Sequence, residues 1–174
     1  MKKVIVILIS MLIIFCTILI QTNFLNNLPF LGIVPNVGLV LVCALGITAG
    51  PTIGGVCGVS YGVIIDSFFG RAFGIFALLY LIVGIGSGYL KNTISKDNKM
   101  SLIFMVLIGT AFFEICTYIF SIVIYKIDTD FLYLLKVIVI EEIYNMFLTY
   151  VLFRPLVFWG ETINRTRDGY YLLH

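Results

Sequence analysis

The stretch "GPTIGGVCGVSYGVIIDSFFGRAFG", residues 50–74, combines a regular ladder of glycines with a sudden polar interruption. Glycines recur every four residues at Gly50, Gly54, Gly58 and Gly62, and residues four apart share one face of a helix. In lipid, helices associate through close backbone packing, which small residues permit. The ladder therefore predicts one of two things: packing of this helix against its own neighbours, or a groove that receives another membrane protein.

The composition of the whole chain identifies the solvent as lipid. Of its 174 residues, 61% are hydrophobic and only 11% are charged, and the mean hydropathy is +1.12. A soluble domain carries about 25% charged residues. We therefore expect an all-α integral membrane protein in contact with the lipid bilayer. The small net charge of +2 is scattered along the chain and does not indicate nucleic-acid binding.

Six apolar stretches predict a single membrane domain, residues 1–174, of about six transmembrane helices. Gly50-Pro51 separates the second stretch from the third, and residues 66–70 separate the third from the fourth. The stretches are 4–20, 31–49, 52–65, 68–90, 102–125 and 131–157, followed by a tail at 158–174. The first has no A-x-A cleavage site after it, so we expect it to remain as an anchor.

Basic residues predict the orientation, because they favour the cytoplasmic side. With both termini inside, the inner segments hold Lys2, Lys3, Lys91, Lys96, Lys99, Arg154, Arg165 and Arg167. The outer side then keeps Arg71, Lys126 and Lys136. This bias predicts a multi-pass protein with cytoplasmic termini, and it places Asp66 and Arg71 at the outer face. There, Asp66 would pair with Arg71 or cap the next helix, and so fix the turn.

Acidic side chains inside the apolar stretches are the candidates for function. Glu114 lies in the fifth stretch, and Glu141, Glu142 and Asn145 lie in the sixth. A carboxylate at the bilayer centre costs about 2.5–3.5 kcal/mol, so such groups face partners or cavities. Two interpretations stay open: a proton or cation relay, or groups that are protonated or hydrogen-bonded and hold the helices in register. Adjacent helical residues point about 100° apart, so Glu141 and Glu142 do not easily share one partner.

Cysteine and histidine usage excludes further classes of chemistry. The four cysteines lie in apolar runs without a C-x-x-C pair, which is typical of helix packing rather than disulfides or metal sites. The only histidine, His174, ends the sequence, so neither zinc nor histidine-based catalysis is expected. The sequence predicts no cofactor and no metal site.

Taken in order, several motifs resemble the MreD family of rod-shape-determining membrane proteins. They are "IQTNFL" after the first stretch, P-N before the second, G-P-x-x-G, and G-x-x-x-D-x-x-x-G-x-x-x-G. The resemblance is most specific between residues 31 and 90. The family pattern implies Pro35, Asn36, Gly50, Gly58, Gly62, Asp66, Gly70 and Gly74 as motif residues, with weaker matches at Glu114 and Asn145. The Glu141-Glu142 pair departs from the pattern.

The resemblance implies a non-enzymatic subunit of the bacterial cell-elongation machinery in the plasma membrane. Its expected direct partner is MreC, a single-span protein with an extracellular coiled coil. MreB, RodA and a class B penicillin-binding protein are the other expected members of the assembly, which serves peptidoglycan synthesis. The resemblance also implies a fold similar to the substrate-binding components of energy-coupling-factor transporters. Whether the protein forms a homodimer, and which helices contact MreC, is left open.

Two alternatives belong to other functional classes. A small-molecule binder of the energy-coupling-factor type would share the fold, but its first span docks through alanines, and "VIVILISMLIIFCTIL" contains none. A lipid-linked enzyme or flippase would use Asp66, Glu114 and the Glu141-Glu142 pair. No diphosphate- or metal-binding motif accompanies these carboxylates, and no pair of matched inverted halves indicates a secondary transporter.

Overall fold

The computed structural model describes residues 2–25, 32–69, 73–90, 99–124, 126 and 130–171. These residues form six α-helices, which confirms the predicted all-helical chain. The helices are α1 (Lys2–Leu19), α2 (Val37–Ala49), α3 (Pro51–Phe69), α4 (Ile75–Tyr89), α5 (Lys99–Val123) and α6 (Phe131–Tyr171). A short π-helical segment, Ile20–Leu25, continues α1.

Helix α2 is the centre of the bundle. Its sequence, "VGLVLVCALGITA", is apolar on all sides, and every residue from Gly38 to Ala49 is buried. A helix that is hydrophobic all round belongs in an interior. Accordingly, α2 contacts each of the other five helices, and the hydrophobic core forms around it.

The glycine ladder of α3 packs against α4, the most extensive helix contact in the bundle. A Cβ atom added at Gly54 would collide with the backbone of Gly84, one at Gly58 with Tyr80, and one at Gly62 with Ala77. Close approach of the two backbones therefore depends on the missing side chains. Of the two interpretations of the ladder, the structure shows internal packing, since α4 occupies the glycine face.

The turns that flank α3 differ in length from the predicted breaks. At the first turn, Gly50 alone separates α2 from α3, with a φ of 100° that favours glycine. At the second, the helix continues through Asp66 to Phe69, and α4 begins only at Ile75. Asp66 therefore lies inside the last turn of α3 rather than in a loop. The hydropathy pattern predicts the end of α3 wrongly, because a buried carboxylate lowers the local hydropathy as a loop residue would.

Helix α6 is longer than its apolar stretch. It has 41 residues, or about 60 Å at 1.5 Å per residue, and contains Pro155. The predicted tail from residue 158 thus begins as a continuation of this helix. Gly160 and Ile163 are buried, and Gly160 lies against the side chain of Thr48 at the end of α2. The segment "ETINRTRDG" is polar on average, so its composition does not indicate that one face of the helix packs against the bundle.

Only one helix among the described residues, Lys99–Val123, is both long and apolar enough to cross a membrane by length and composition. Three shorter apolar helices cover Leu8–Asn23, Val37–Ala49 and Ile75–Tyr89. Large apolar side chains also point outward from the bundle, among them Phe15, Val56, Ile82, Phe112 and Phe147.

Candidate functional site

Asn145 is the centre of a buried polar network that joins four helices. Its side chain is completely buried on α6. The amide oxygen accepts a hydrogen bond from the backbone N–H of Asn36 at 2.8 Å. The amide nitrogen donates to the Thr110 hydroxyl at 2.9 Å and to a Glu141 carboxyl oxygen at 3.4 Å. One amide thus ties the start of α2 to both α5 and α6.

Asn36 continues this network toward α4. It caps α2, because its side-chain oxygen accepts the backbone N–H of Leu39 at 3.0 Å. The same oxygen accepts a hydrogen bond from the hydroxyl of Tyr80 at 2.8 Å. The cap is therefore also the link between α2 and α4, which a simple helix start would not require.

Gln21 secures the chain that leads into α2. Its amide nitrogen donates to the carbonyl oxygen of Pro35 at 2.7 Å, and its amide oxygen accepts the backbone N–H of Val37 at 3.0 Å. Both bonds satisfy backbone groups beside a helix N-terminus, where intrahelical partners are missing. The π-helical segment is thereby fixed against the N-terminus of α2.

Glu114 and Glu141 face each other across the α5–α6 interface. Both residues line the same cavity. Glu141 is also bonded to Asn145, as described above. The network therefore ends in a pair of acidic groups rather than in a single carboxyl group.

A cavity of about 250 Å³ adjoins this pair. All its walls come from one end of the bundle: the ends of α1 and α3, the starts of α2 and α4, the second half of α5 and the first half of α6. They are formed by Gln21, Thr22, Val34, Asn36, Tyr61, Ile65, Phe76, Tyr80, Phe113, Glu114 and Glu141. The cavity thus combines polar groups with a large aromatic surface.

Four aromatic rings form one contiguous wall of the cavity. The Tyr61 and Tyr80 rings meet edge to face, with centroids 5.0 Å apart. Tyr80 packs on Phe113 at 4.7 Å, and Phe113 stacks on Phe76 at 5.9 Å. Such pairs contribute about 0.5–1.5 kcal/mol each beyond the area that they bury. The wall is therefore rigid, and it presents ring surface from three helices.

Asp66 holds the α4 side of this wall in position. Its carboxylate is 3% exposed. One oxygen accepts the backbone N–H of Phe76 at 3.2 Å, and the other accepts that of Ala77 at 2.9 Å. Gly74 precedes α4 and offers no side-chain cap. The carboxylate of α3 thus caps α4, and the negative charge lies at the positive end of the helix dipole.

Comparison with known proteins identifies the family. A family model described as rod shape-determining protein MreD matches residues 1–162 of the chain. The chain belongs to the MreD family. It is accordingly a rod-shape-determining membrane protein. No curated protein and no solved structure matches the chain.

The sequence-predicted residues of this MreD-family chain fall into three groups. The polar network and cavity contain Pro35, Asn36, Glu114, Glu141 and Asn145. The contacts and turns around α3 and α4 contain Gly50, Gly58, Gly62, Asp66 and Gly74. Glu142 does not line the cavity and is half-buried, as expected for a residue about 100° from Glu141. Gly70 and Arg71 lie outside the described residues, and so does any pairing of Arg71 with Asp66.

Sequence reasoning missed several members of the site, among them Gln21, Tyr61 and Tyr80. Gln21 lies within "IQTNFL", a pattern typical of the polar exit of a span. Tyr80 lies among apolar residues of α4 and looks like an ordinary core aromatic. The available signal is the position of their polar groups. All three residues lie at the end of the bundle that also contains Asn36 and Glu114. Among the described residues, no group of histidine, cysteine or acidic side chains is arranged to hold a metal ion.

Proposed function

We propose that this MreD-family chain is a non-enzymatic scaffold that binds MreC directly and helps to position peptidoglycan synthesis. MreB, RodA and a class B penicillin-binding protein are the further members of the assembly in this proposal. The observation that carries it is the family match over residues 1–162, which makes the chain a rod-shape-determining membrane protein.

The proposal includes a topology. All six helices cross the bacterial plasma membrane, and both termini are cytoplasmic. The distribution of basic residues supports this orientation. The cavity end of the bundle, with Asn36 and Asp66, then faces outward. A fold similar to the substrate-binding components of energy-coupling-factor transporters is also proposed, and it rests on the sequence resemblance.

The surface for MreC lies on an outward face of the bundle. The glycine face of α3 is occupied by α4, so it does not offer a groove to a partner. Large apolar side chains of α1, α5 and α6 point outward, represented by Phe15, Phe112 and Phe147. A single transmembrane helix would pack against such side chains within the bilayer.

Co-purification tests the proposal. The tagged full-length chain and MreC would be produced together, extracted in mild detergent and purified through the tag. We expect MreC to be recovered in a fixed ratio, while an unrelated multi-pass protein with the same tag recovers none. Equal recovery by the two baits would overturn the proposal. A Gly58→Leu variant is not a suitable negative control, because it would disrupt the α3–α4 contact itself.

The alternative of a small-molecule transport subunit is not proposed. The family that matches this chain is a cell-shape family, and its description names no transported substrate. That alternative stays a prediction from sequence.

A further inference from the structure

We propose that the cavity at the Asn36 end of the bundle binds a primary ammonium group, from a small free amine or from an amine-bearing lipid headgroup. The proposal is independent of the MreC scaffold. It rests on three features of the described part of the chain: an acidic pair with no basic residue among the cavity walls, an aromatic wall, and a buried hydroxyl for which the described residues offer no hydrogen-bond partner.

The carboxyl groups of Glu114 and Glu141 provide the negative charge that attracts an ammonium group. Glu114 of α5 and Glu141 of α6 both line the cavity. Of the described residues that form its walls, none is a lysine, an arginine or a histidine. Buried carboxylates are normally paired with a cation or hydrogen-bonded. A cation that enters between the two groups would supply that missing charge.

The aromatic wall favours an organic cation over a bare metal ion. The rings of Tyr61, Phe76, Tyr80 and Phe113 lie side by side along the cavity. An ammonium group over an aromatic face gains about 0.5–2 kcal/mol, with the larger value at a desolvated site. Aromatic rings and carboxyl groups that line one small cavity are the combination that holds alkylammonium ligands.

The hydroxyl of Tyr61, unpartnered among the described residues, favours a ligand that carries N–H donors. Tyr61 is 0% exposed, and its oxygen has no hydrogen-bond partner within the described residues. A buried polar group left in this state costs about 1–3 kcal/mol. A primary ammonium has three N–H donors, enough for both carboxyl groups and the Tyr61 oxygen. A quaternary ammonium has none, so it would leave the hydroxyl unsatisfied.

The volume restricts the ligand to a small group. The cavity measures about 250 Å³, whereas pockets for drug-sized molecules span about 300–1,000 Å³. An aminoethyl group of the size found in ethanolamine or in a lipid headgroup fits this space. In the proposed topology, the cavity lies in the outer half of the bilayer, where both sources are accessible.

Direct binding measurements distinguish the two sources. The full-length chain would be placed in nanodiscs of phosphatidylglycerol and titrated with radiolabelled ethanolamine, with choline as the quaternary competitor. In parallel, native mass spectrometry would compare retention of phosphatidylethanolamine and phosphatidylglycerol from mixed nanodiscs. We expect saturable ethanolamine binding at least tenfold tighter than choline, or selective retention of phosphatidylethanolamine. Absence of both would overturn the proposal.

Three cavity variants and one matched control assign the site. Glu114→Gln and Glu141→Gln should each weaken ethanolamine binding at least tenfold. Tyr61→Phe should weaken it about tenfold, which is the effect of losing one hydrogen bond to a charged group. Glu142→Gln, next in sequence and outside the cavity, should leave binding unchanged. Tyr61→Phe removes a hydroxyl that has no hydrogen-bond partner among the described residues, so this variant should fold normally. It therefore decides the assignment if a Glu variant does not fold. Unchanged binding in Tyr61→Phe, or equal loss in Glu142→Gln, would refute the assignment.

Discussion

Asp66 and Ala77 are joined by a hydrogen bond of 2.9 Å that links the last turn of α3 to the first turn of α4. The second carboxylate oxygen of Asp66 accepts the N–H of the neighbouring Phe76. A helix usually receives its N-terminal cap from the residue just before it. Here Gly74 occupies that place, with a φ of 101° and no side chain, so the cap comes from the preceding helix. The buried carboxylate of Asp66 on α3 thus fixes the start of α4.

Asp66→Asn should destabilise the protein. The amide keeps one acceptor oxygen but directs an NH₂ group at the second backbone N–H, so one charged hydrogen bond is lost. We expect the free energy of unfolding to fall by about 1.5–3 kcal/mol. Thermal unfolding in detergent measures this, with a thiol-reactive dye in a Cys16→Ser background, because Cys16 is exposed whereas Cys43 and Cys57 are buried.

Asp130→Asn is the matched control for this cap. Asp130 accepts the N–H of Leu132 at the start of α6 in an exposed position, so its replacement should cost less than about 1 kcal/mol. Equal losses for the two variants would show that the buried position of Asp66 has no special effect.

Asn145→Leu should have a larger effect, because Asn145 holds three partners at once. The substitution leaves the partly buried N–H of Asn36 without its acceptor and also removes the bond to Thr110. We expect a loss of roughly 2–5 kcal/mol in the free energy of unfolding. Met146→Leu, one residue along on the outward side of α6, should change stability by less than about 1 kcal/mol. Similar melting temperatures for the two variants would contradict a central role for this amide.

Gly58→Ala should separate α3 from α4. The added methyl group would collide with the backbone carbonyl of Tyr80, which cannot rotate away. We expect a loss of roughly 2–3 kcal/mol from overpacking. Gly86→Ala is the control on α4, where an added Cβ meets no atom within 4 Å. That variant should be neutral or more stable by up to about 1 kcal/mol, because alanine favours the helix. The opposite ranking would show that the two helices do not pack through this face.

Ile163→Ala tests whether the end of α6 belongs to the bundle. Ile163 is buried near the site where Gly160 meets Thr48, although its segment is polar overall. We expect a loss of roughly 2–4 kcal/mol for the missing side chain. Arg165→Ala removes an exposed ion pair with Glu161 and should cost less than about 1 kcal/mol. If both variants melt alike, this part of α6 does not pack as described.

The helices themselves follow from local sequence. Every apolar stretch contains a helix, and the all-round apolar character of residues 37–49 matches the central position of α2. Boundaries were less predictable where a polar group is satisfied by a distant partner. Asp66 looks like a loop residue until its acceptor role toward residues 76 and 77 is known. The face of α6 that packs beyond residue 158 is likewise invisible to a composition average.

The candidate site was predictable only in part, for a related reason. Glu114, Glu141 and Asn145 are polar residues in an apolar setting, and this alone indicates a site. The bond from Asn36 to Asn145 and the shared cavity with both glutamates depend on the packing of α2 against α5 and α6, which no local pattern specifies. Gln21 acts through both polar atoms of its amide and Tyr80 through its hydroxyl, and neither residue type is rare enough to indicate a site.

The most direct test of the scaffold proposal is a map of photo-crosslinks from the outward faces of the bundle to MreC. A benzoylphenylalanine would be placed singly at five exposed positions, one on each of α1, α3, α4, α5 and α6: Phe15, Val56, Ile82, Phe112 and Phe147. Irradiation of cells and detection of MreC adducts would follow. We predict adducts from one helix, or from two neighbouring helices, and none from the others. Absence of MreC adducts at all five positions, in variants that melt like the unmodified protein, would contradict the proposed direct contact.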